Sequence, residues 1–316
     1  MKPKSRFPLI ASGAAIAFLL GGMTPAYADQ SEADDVAQAV RTAAPVELTS
    51  ADLTATDTGY GMTLNHGGTL SLPFEAADDV SITTGDEKVS VSLPQSGRLK
   101  EATVADDGSI TFAGDAETPA VNVMTADEAI RFSTVITDKV QPESFSYDFG
   151  ENATVEIQPD GAAVVYHASD DSEAVVETIV ANARAPWAFD ADGNTVQTEY
   201  VADGSTLTQI VKHADVGIVY PVVADPTFDF PAVFQSRVRF NRAETATIAD
   251  LGLLSLGGAV CGPVAWACIA AAGALAVNAG VANNSNPKAC VQITVTTPPG
   301  LPHIFWVDIY RGGPCR

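Results

Sequence analysis

All four cysteines of this 316-residue chain, Cys261, Cys268, Cys290 and Cys315, fall in its last 87 residues, 230–316. No disulfide can staple the chain before residue 261, so that larger part must hold by burial and hydrogen bonding alone. Four cysteines allow three pairings. Cys261 and Cys268 on one unbroken helix would have Cα atoms about 10 Å apart, beyond disulfide reach. A break at Gly262-Pro263 would bring them within range; without it each bridges elsewhere. Cys290 and Cys315 bracket a hairpin expected over Val291–Arg311, close to the free ends of its strands. The spacing favours Cys261–Cys268 with Cys290–Cys315, and the other pairings stay open. An oxidising exterior favours bridges over metal ligation.

The chain begins with Lys2, Lys4 and Arg6, then an apolar run from Phe7 to Met23, then Thr24-Pro25-Ala26-Tyr27-Ala28. A charged start, an apolar middle and a small-x-small end predict a signal peptide over residues 1–28, cut before Asp29. A retained N-terminal anchor is the alternative. Residues 29–45 follow as an arm, with a short helix expected from Ser31 to Ala44 and Ser31 as its N-cap. A loose terminal arm fits the same polar stretch.

Charge divides the remainder. Residues 29–229 carry 36 acids and 8 bases, whereas residues 230–316 carry 3 acids and 6 bases. So acidic a body repels phosphates and excludes nucleic acid as a partner. Its acidity either keeps the body soluble or docks and masks the basic tail.

Residues 46–229 read as an acidic β-rich domain. Short runs such as Val89–Leu93, Arg131–Thr137, Phe145–Phe149, Ala162–Tyr166 and Leu207–His213 alternate with turns. Asp107-Gly108, Asp160-Gly161, Asp192-Gly193 and Asp203-Gly204 supply the positive φ of tight turns. This spacing predicts antiparallel, sandwich-like sheets. Ala126–Ile130 has room for one helical turn. Thr227–Pro231 reads as a linker.

Residues 230–316 read as a cysteine-containing α+β module of one strand, two apolar helices and a β-hairpin. Over Phe234–Phe240, Phe234, Val238 and Phe240 share one face; Gln235, Arg237 and Arg239 share the other, an exposed basic one. Asn241 and Glu244 form a capping box for a helix from Arg242 to about Leu256, loosened by Gly257 and Gly258. A second helix starts at Pro263 and ends at Gly280. The run from Leu251 to Pro287 has no charge. An all-round apolar helix of this kind is a buried core, a membrane span, or a module that inserts when released. Residues 251–281 are thus the candidate membrane contact.

Three stretches occur together: Ala185-Pro186-Trp187-Ala188 with Asp190, Gly193 and Tyr200; Tyr220-Pro221-Val222-Val223-Ala224-Asp225-Pro226; and Phe240-Asn241-Arg242-Ala243-Glu244-Thr245 before the small-residue helices. Over roughly residues 130–316 the chain resembles a group of secreted actinobacterial proteins of unknown function. The resemblance implies export from a Gram-positive cell. It carries no catalytic or binding residue to this sequence.

His66, His167, His213 and His303 lack a second His or Cys at metal-ligand spacing. His213, among strand residues, reads as a packed or hydrogen-bonded side chain. Asp190-x-Asp192-Gly193-Asn194 has a faint calcium-loop look but lacks the third acid and the distal glutamate, so a turn explains it. Acid pairs such as Asp78-Asp79 and Asp170-Asp171 fit acidic loops. No nucleophile elbow, zinc-helix or phosphate-loop pattern is present. No catalytic, cofactor-binding or metal residue is assigned and no cofactor is expected. The expectation is an exported non-catalytic protein, binding or structural, with an envelope or protein partner. The alternative is a bacteriocin-like, membrane-active C-terminal module carried or masked by the acidic body.

Overall fold

The computed structural model describes residues 25–316 except 46–47, 49, 65–67, 85–86, 127–128, 170–174, 230–234, 257–260, 297–301 and 303. The expected signal peptide up to residue 24, Phe234, Gly257, Gly258, Asp170-Asp171 and most of the C-terminal hairpin turn lie outside the described residues. The chain is mainly antiparallel β, with helices near the C-terminus followed by a β-hairpin.

The first five strands, β1 (Thr54–Ala55), β2 (Gly59–Thr63), β3 (Thr69–Pro73), β4 (Val80–Thr84) and β5 (Glu87–Val91), form one meander. Next come β6 (Ala102–Val104), β7 (Ile110–Phe112), β8 (Ala120–Ala126), β9 (Ala129–Ile136), β10 (Ser144–Asp148), β11 (Ala153–Ile157), β12 (Ala163–Ser169) and β13 (Val175–Ala183). The body ends with β14 (Ala188–Phe189), β15 (Thr198–Asp203), β16 (Thr206–Val211), β17 (Val222–Ala224) and β18 (Thr227–Asp229). Strands β10, β16 and β15 make a second sheet. The rest join a 13-stranded sheet with β19 (Gln235–Arg239), β20 (Cys290–Thr296) and β21 (Ile304–Tyr310). One core gathers Leu72, Ile82 and Val91 from the first sheet, Phe145, Tyr147 and Leu207 from the second, and Phe112, Phe132 and Phe228 from the third. The first two sheets meet at the Ser92–Asp148 bridge, and all three share this one core, in keeping with the antiparallel sheets that the alternation of short strands and turns predicts.

The Asp-Gly turns behave as expected: Gly108, Gly161, Gly193 and Gly204 have φ between 58° and 86°. Ala126 and Ala129 make no helical turn; they are the last pair of the β8–β9 hairpin. Strand pairing along both flanks outweighs the helical preference of a short alanine-containing stretch.

Thr227–Asp229, expected as linker, is instead β18. It lies between β9 and β13, with Phe228 fully buried. Pro226 has no N–H to give, but its carbonyl accepts from Phe132 N–H of β9 at 2.8 Å, so the pairing with β9 starts just ahead of the three-residue strand. β19 then adds to β13 in register from Val175↔Arg239 to Ile179↔Gln235. The module therefore continues the body's sheet and occupies its far end, in the order β13-β19-β20-β21.

On that end lie α2 (Arg242–Leu251), α3 (Ala265–Ala270) and α4 (Ala272–Asn283). The Asn241/Glu244 capping box is present. α2 stops earlier than expected, at Gly252, whose φ of 82° suits a glycine terminator; a 3-10 turn follows over Leu253–Leu256. The second helix begins with a 3-10 turn at Gly262–Val264 and runs past Gly280 to Asn283, because Ala289 N–H and Ser285 Oγ–H take the Ala282 carbonyl there. Both expected disulfides are formed, with Cα–Cα distances of 6.4 Å for Cys261–Cys268 and 5.6 Å for Cys290–Cys315. The module has its own core of Val238, Phe240, Ile248, Leu275 and Ile293, to which the body contributes Val176.

The N-terminal arm is docked. α1 spans Pro25–Ala43, so Ser31 sits inside the helix and is not its N-cap. Ala33 and Ala37 bury against Ala105, and Val40 against Val135 and Val223. These positions, three or four apart, form the apolar stripe that composition alone hid. Grooves of about 760 and 540 Å³ flank the helix, with Glu32, Asp35 and Asp115 lining the first and Asp35 and Asp192 the second.

Candidate functional site

The join between body and module is a buried ion network. Arg237 and Arg239 are 8% and 6% exposed. Arg237 donates through Nε (2.9 Å) and Nη2 (2.6 Å) to Glu177 on β13, and through Nη1 and Nη2 (both 3.1 Å) to Glu156 on β11. Its Nη1 also reaches Tyr166 Oη on β12 at 3.0 Å, with the guanidinium carbon 3.8 Å from that ring's centre. Arg239 donates to Glu156 Oε1 at 2.7 Å and pairs with Glu177. Tyr310 of β21 closes the far side, 5.8 Å from Arg239.

The expected exposed basic face is therefore buried. The period-2 reading placed the two arginines on the correct side of the strand. What covers that side is two acids and a tyrosine from the body, which the sequence reading did not single out. Glu156 in Ala153–Ile157 and Glu177 in Val175–Ala183 are lone charges inside strand-forming runs. That is the signal of a paired buried charge, since an unpaired one is too costly. Burial raises the Glu156 carboxyl, but Arg237 and Arg239 more than offset it, and it titrates below the ordinary range. Burial lowers the Arg237 guanidinium, but Glu177 and Glu156 more than offset that. Burial pushes Tyr310 up to about 12. The shifts of Glu156 and Arg237 both favour the ionised forms. The cluster can hold two pieces together, since it joins β11, β12 and β13 of the body to β19 of the module.

A second buried cluster explains the paired motifs. Asp225, fully buried, accepts from the backbone N–H of Trp187 (2.9 Å) and of Thr227 (3.2 Å), and from Gln209 Nε2 (3.3 Å). Arg131 donates to Thr227 Oγ1 at 3.1 Å and lies 5.6 Å from the Trp187 ring. The Ala185–Ala188 and Tyr220–Pro226 stretches are thus two sides of one clamp. Burial pushes the Asp225 carboxyl up to about 7, against the N–H donors and Arg131 that pull it down. Tyr147 and Tyr200, pushed up by burial, pack within the same core.

Asp190 is the anchor of a turn. Its carboxylate accepts from the N–H of Asp192 and Asn194, from Asn194 Nδ2 and from Val219 N–H. Burial raises that carboxyl and these donors bring it below its usual range. With its oxygens so engaged, the calcium-loop look is turn chemistry. His213 is buried between Pro142 O at 2.9 Å and Tyr220 Oη at 3.2 Å, the packed role expected of it. Asp78 and Asp79 are exposed. His66 and His303 lie outside the described residues. Among the described residues no three His, Cys, Asp or Glu side chains gather as a metal site.

The uncharged helices are only half core. Ala267, Cys268, Ala271, Leu275, Ala279 and Ala282 face inward and are buried. Trp266 (41% exposed), Ile269 (63%), Val277 (70%) and Val281 (58%) face outward, and Leu251 and Leu254 extend the apolar surface at the end of α2. Among the described residues no helix is long and apolar enough to cross a membrane. The two disulfides match an oxidising, extracellular-type environment.

No family model matches the chain, and no curated protein is similar to it in sequence. Among solved structures, a glycosyl hydrolase of family 92 is similar over 59% of this chain and 32% of its own length, at 13% identity and a TM-score of 0.25. That score is too low to indicate a shared fold, and nothing of that protein's activity transfers to this one.

Proposed function

We propose that this chain is an exported, non-catalytic binding protein of the cell envelope or the medium, in which the acidic β body holds a disulfide-tied helical module for contact with a partner. The outward apolar face of α3 and α4 carries this reading. Folding leaves large side chains such as Ile269, Val277 and Val281 in water on a layer with its own core beneath it, a row of exposed apolar side chains that a partner would cover. The signal-peptide pattern of residues 1–28, the two bridges and the resemblance to secreted actinobacterial proteins support export. The test is retention of the labelled protein, starting at Asp29, on washed envelopes of the producing cells. Saturable retention, displaced by unlabelled protein, is expected. Retention that never saturates, or turnover of an envelope polymer, would overturn the reading.

A second reading, a bacteriocin-like module released from its carrier, draws on a different observation. Among the described residues, Val176 is the one body residue in the module's buried core. Release would require β19 to leave β13 and the Arg–Glu network to open. Cleavage near Thr227–Pro231 that yields a soluble fragment able to permeabilise anionic vesicles is the result this reading expects. A fragment that precipitates, or one that leaves vesicles intact, counts against it.

A further inference from the structure

We infer that the outward face of α3–α4 docks on an anionic lipid surface, lying flat on it; this rests on the binding-protein reading and names its partner. Trp266, Ile269, Ala270, Ala274, Val277 and Val281 recur at helical spacing and are all exposed. The backbone bonds Ala271 N–H to Ala267 O and Leu275 N–H to Ala271 O carry the stripe across the junction of the two helices. No charge interrupts it, since the run from Leu251 to Pro287 has none.

Charge at the end of this face selects the surface. Arg242, Lys288, Arg311 and Arg316 are all exposed. All four fall within three residues of one end of the module's sheet. There Phe240 N–H bonds Val291 O, Cys290 pairs with Tyr310, and Cys290 bridges Cys315. Lys288 also reaches Asn283 at the end of α4, at 3.1 Å. Of the module's exposed acids, Asp250 lies on α2 and Asp308 on β21; Asp308 is the one near the basic end, two residues before Tyr310, and neither is on the stripe. An apolar stripe with a tryptophan and a basic border suits the interface of an anionic bilayer. The body's negative charge would oppose approach, but the module sits at the far end of the sheet, and Arg237 and Arg239 neutralise Glu156 and Glu177 at the join. A second copy of this chain fits less well. The stripe is about 20 Å long and about one helix wide, on the order of 200 Å², well short of the ~800 Å² per partner of a stable protein interface.

The experiment is vesicle co-sedimentation of the protein starting at Asp29, with both disulfides closed. Vesicles are phosphatidylcholine alone or with about 30% phosphatidylglycerol. The combined variant Ile269→Gln, Val277→Gln, Val281→Gln changes only side chains more than half exposed, so it leaves the fold intact. Native protein should partition about tenfold more strongly to the anionic vesicles, and the triple variant should lose about tenfold of that binding. The pair Arg242→Glu, Lys288→Glu should remove the preference for anionic lipid. Native protein left in the supernatant, a triple variant that binds like the native chain, or a dimer that the triple variant dissolves would each overturn the inference. If native protein ignores vesicles yet is retained on envelopes, the lipid assignment fails and the binding reading stands. If neither binds, both fail.

Discussion

Replacing Glu177 by Gln removes one charge from the join between body and module and leaves its shape. Glu177 accepts from Arg237 Nε at 2.9 Å and Nη2 at 2.6 Å, and it pairs with Arg239. Its side chain is 3% exposed. In the variant an amide N–H₂ would face guanidinium donors. Glu156 would be the one carboxylate left against two guanidiniums, and at 32% exposure its interaction is partly screened. Removing one partner of a buried pair costs about 3–5 kcal/mol, and most of this is the stranded charge. Glu156→Gln, at the more exposed position, should cost only about 1 kcal/mol. Urea denaturation gives both values. Amide exchange shows where the loss falls: protection in β19 and β20 should drop, while the β8–β9 hairpin, separated from β13 by β18, should keep its own. Combining Glu177→Leu with Arg237→Met should cost less than either change alone. A loss below about 1 kcal/mol for Glu177→Gln, or equal loosening of β8–β9, would refute the idea that this network holds the join.

Asp225 gives a pH signature of opposite sign to that of Glu156. Its carboxyl rises from 3.8 unfolded to about 7 folded, so its contribution is fully present below the unfolded value and falls by up to ~4 kcal/mol as pH climbs to about 7. Asp225→Asn should flatten that decline in a pH series of urea midpoints. The loss on acidification, as carboxylates such as Glu156 protonate, should remain. Opening the Cys290–Cys315 bridge, with 25 residues of separation, should destabilise the chain by about 3.5 kcal/mol, against about 2.5 kcal/mol for Cys261–Cys268 with 7. Paired Cys→Ser variants measured by thermal unfolding test that order. Gly59→Ala would set a Cβ 1.9 Å from Leu72 O, so a loss of about 3 kcal/mol or more is expected in the same assay, where Gly97→Ala, with open space around it, should lose no more than about 1 kcal/mol.

What could be read from the sequence was the information that neighbouring residues carry. Asp-Gly pairs marked turns because positive φ is a property of two adjacent residues. The capping box and the cysteine pairings were equally local, since a helix break between Cys261 and Cys268 and a hairpin between Cys290 and Cys315 each bring one pair together. The helix ends were less legible. Gly252 ends α2 and Gly280 does not end α4, because the choice rests on whether later residues such as Ser285 and Ala289 reach the last carbonyls.

The candidate join was hidden for a reason of distance. Alternation along β19 places Arg237 and Arg239 on one face and says nothing about what meets that face. Water is the usual answer for an arginine. Here the answer comes from Glu177, 60 residues earlier, and Glu156, 81 residues earlier. Those acids looked like part of the body's general negative charge, although each stands alone inside a strand-forming run, where an unpaired carboxylate would be prohibitively costly. The same reasoning corrects the helices. An all-round apolar sequence was weighed as a buried core, a membrane span or a module that inserts when released, yet the small core of the module covers only the inner side of α3 and α4. The outer side chains gain nothing from the fold that leaves them in water. Their apolar character is therefore better explained by what the folded module meets than by what holds it together.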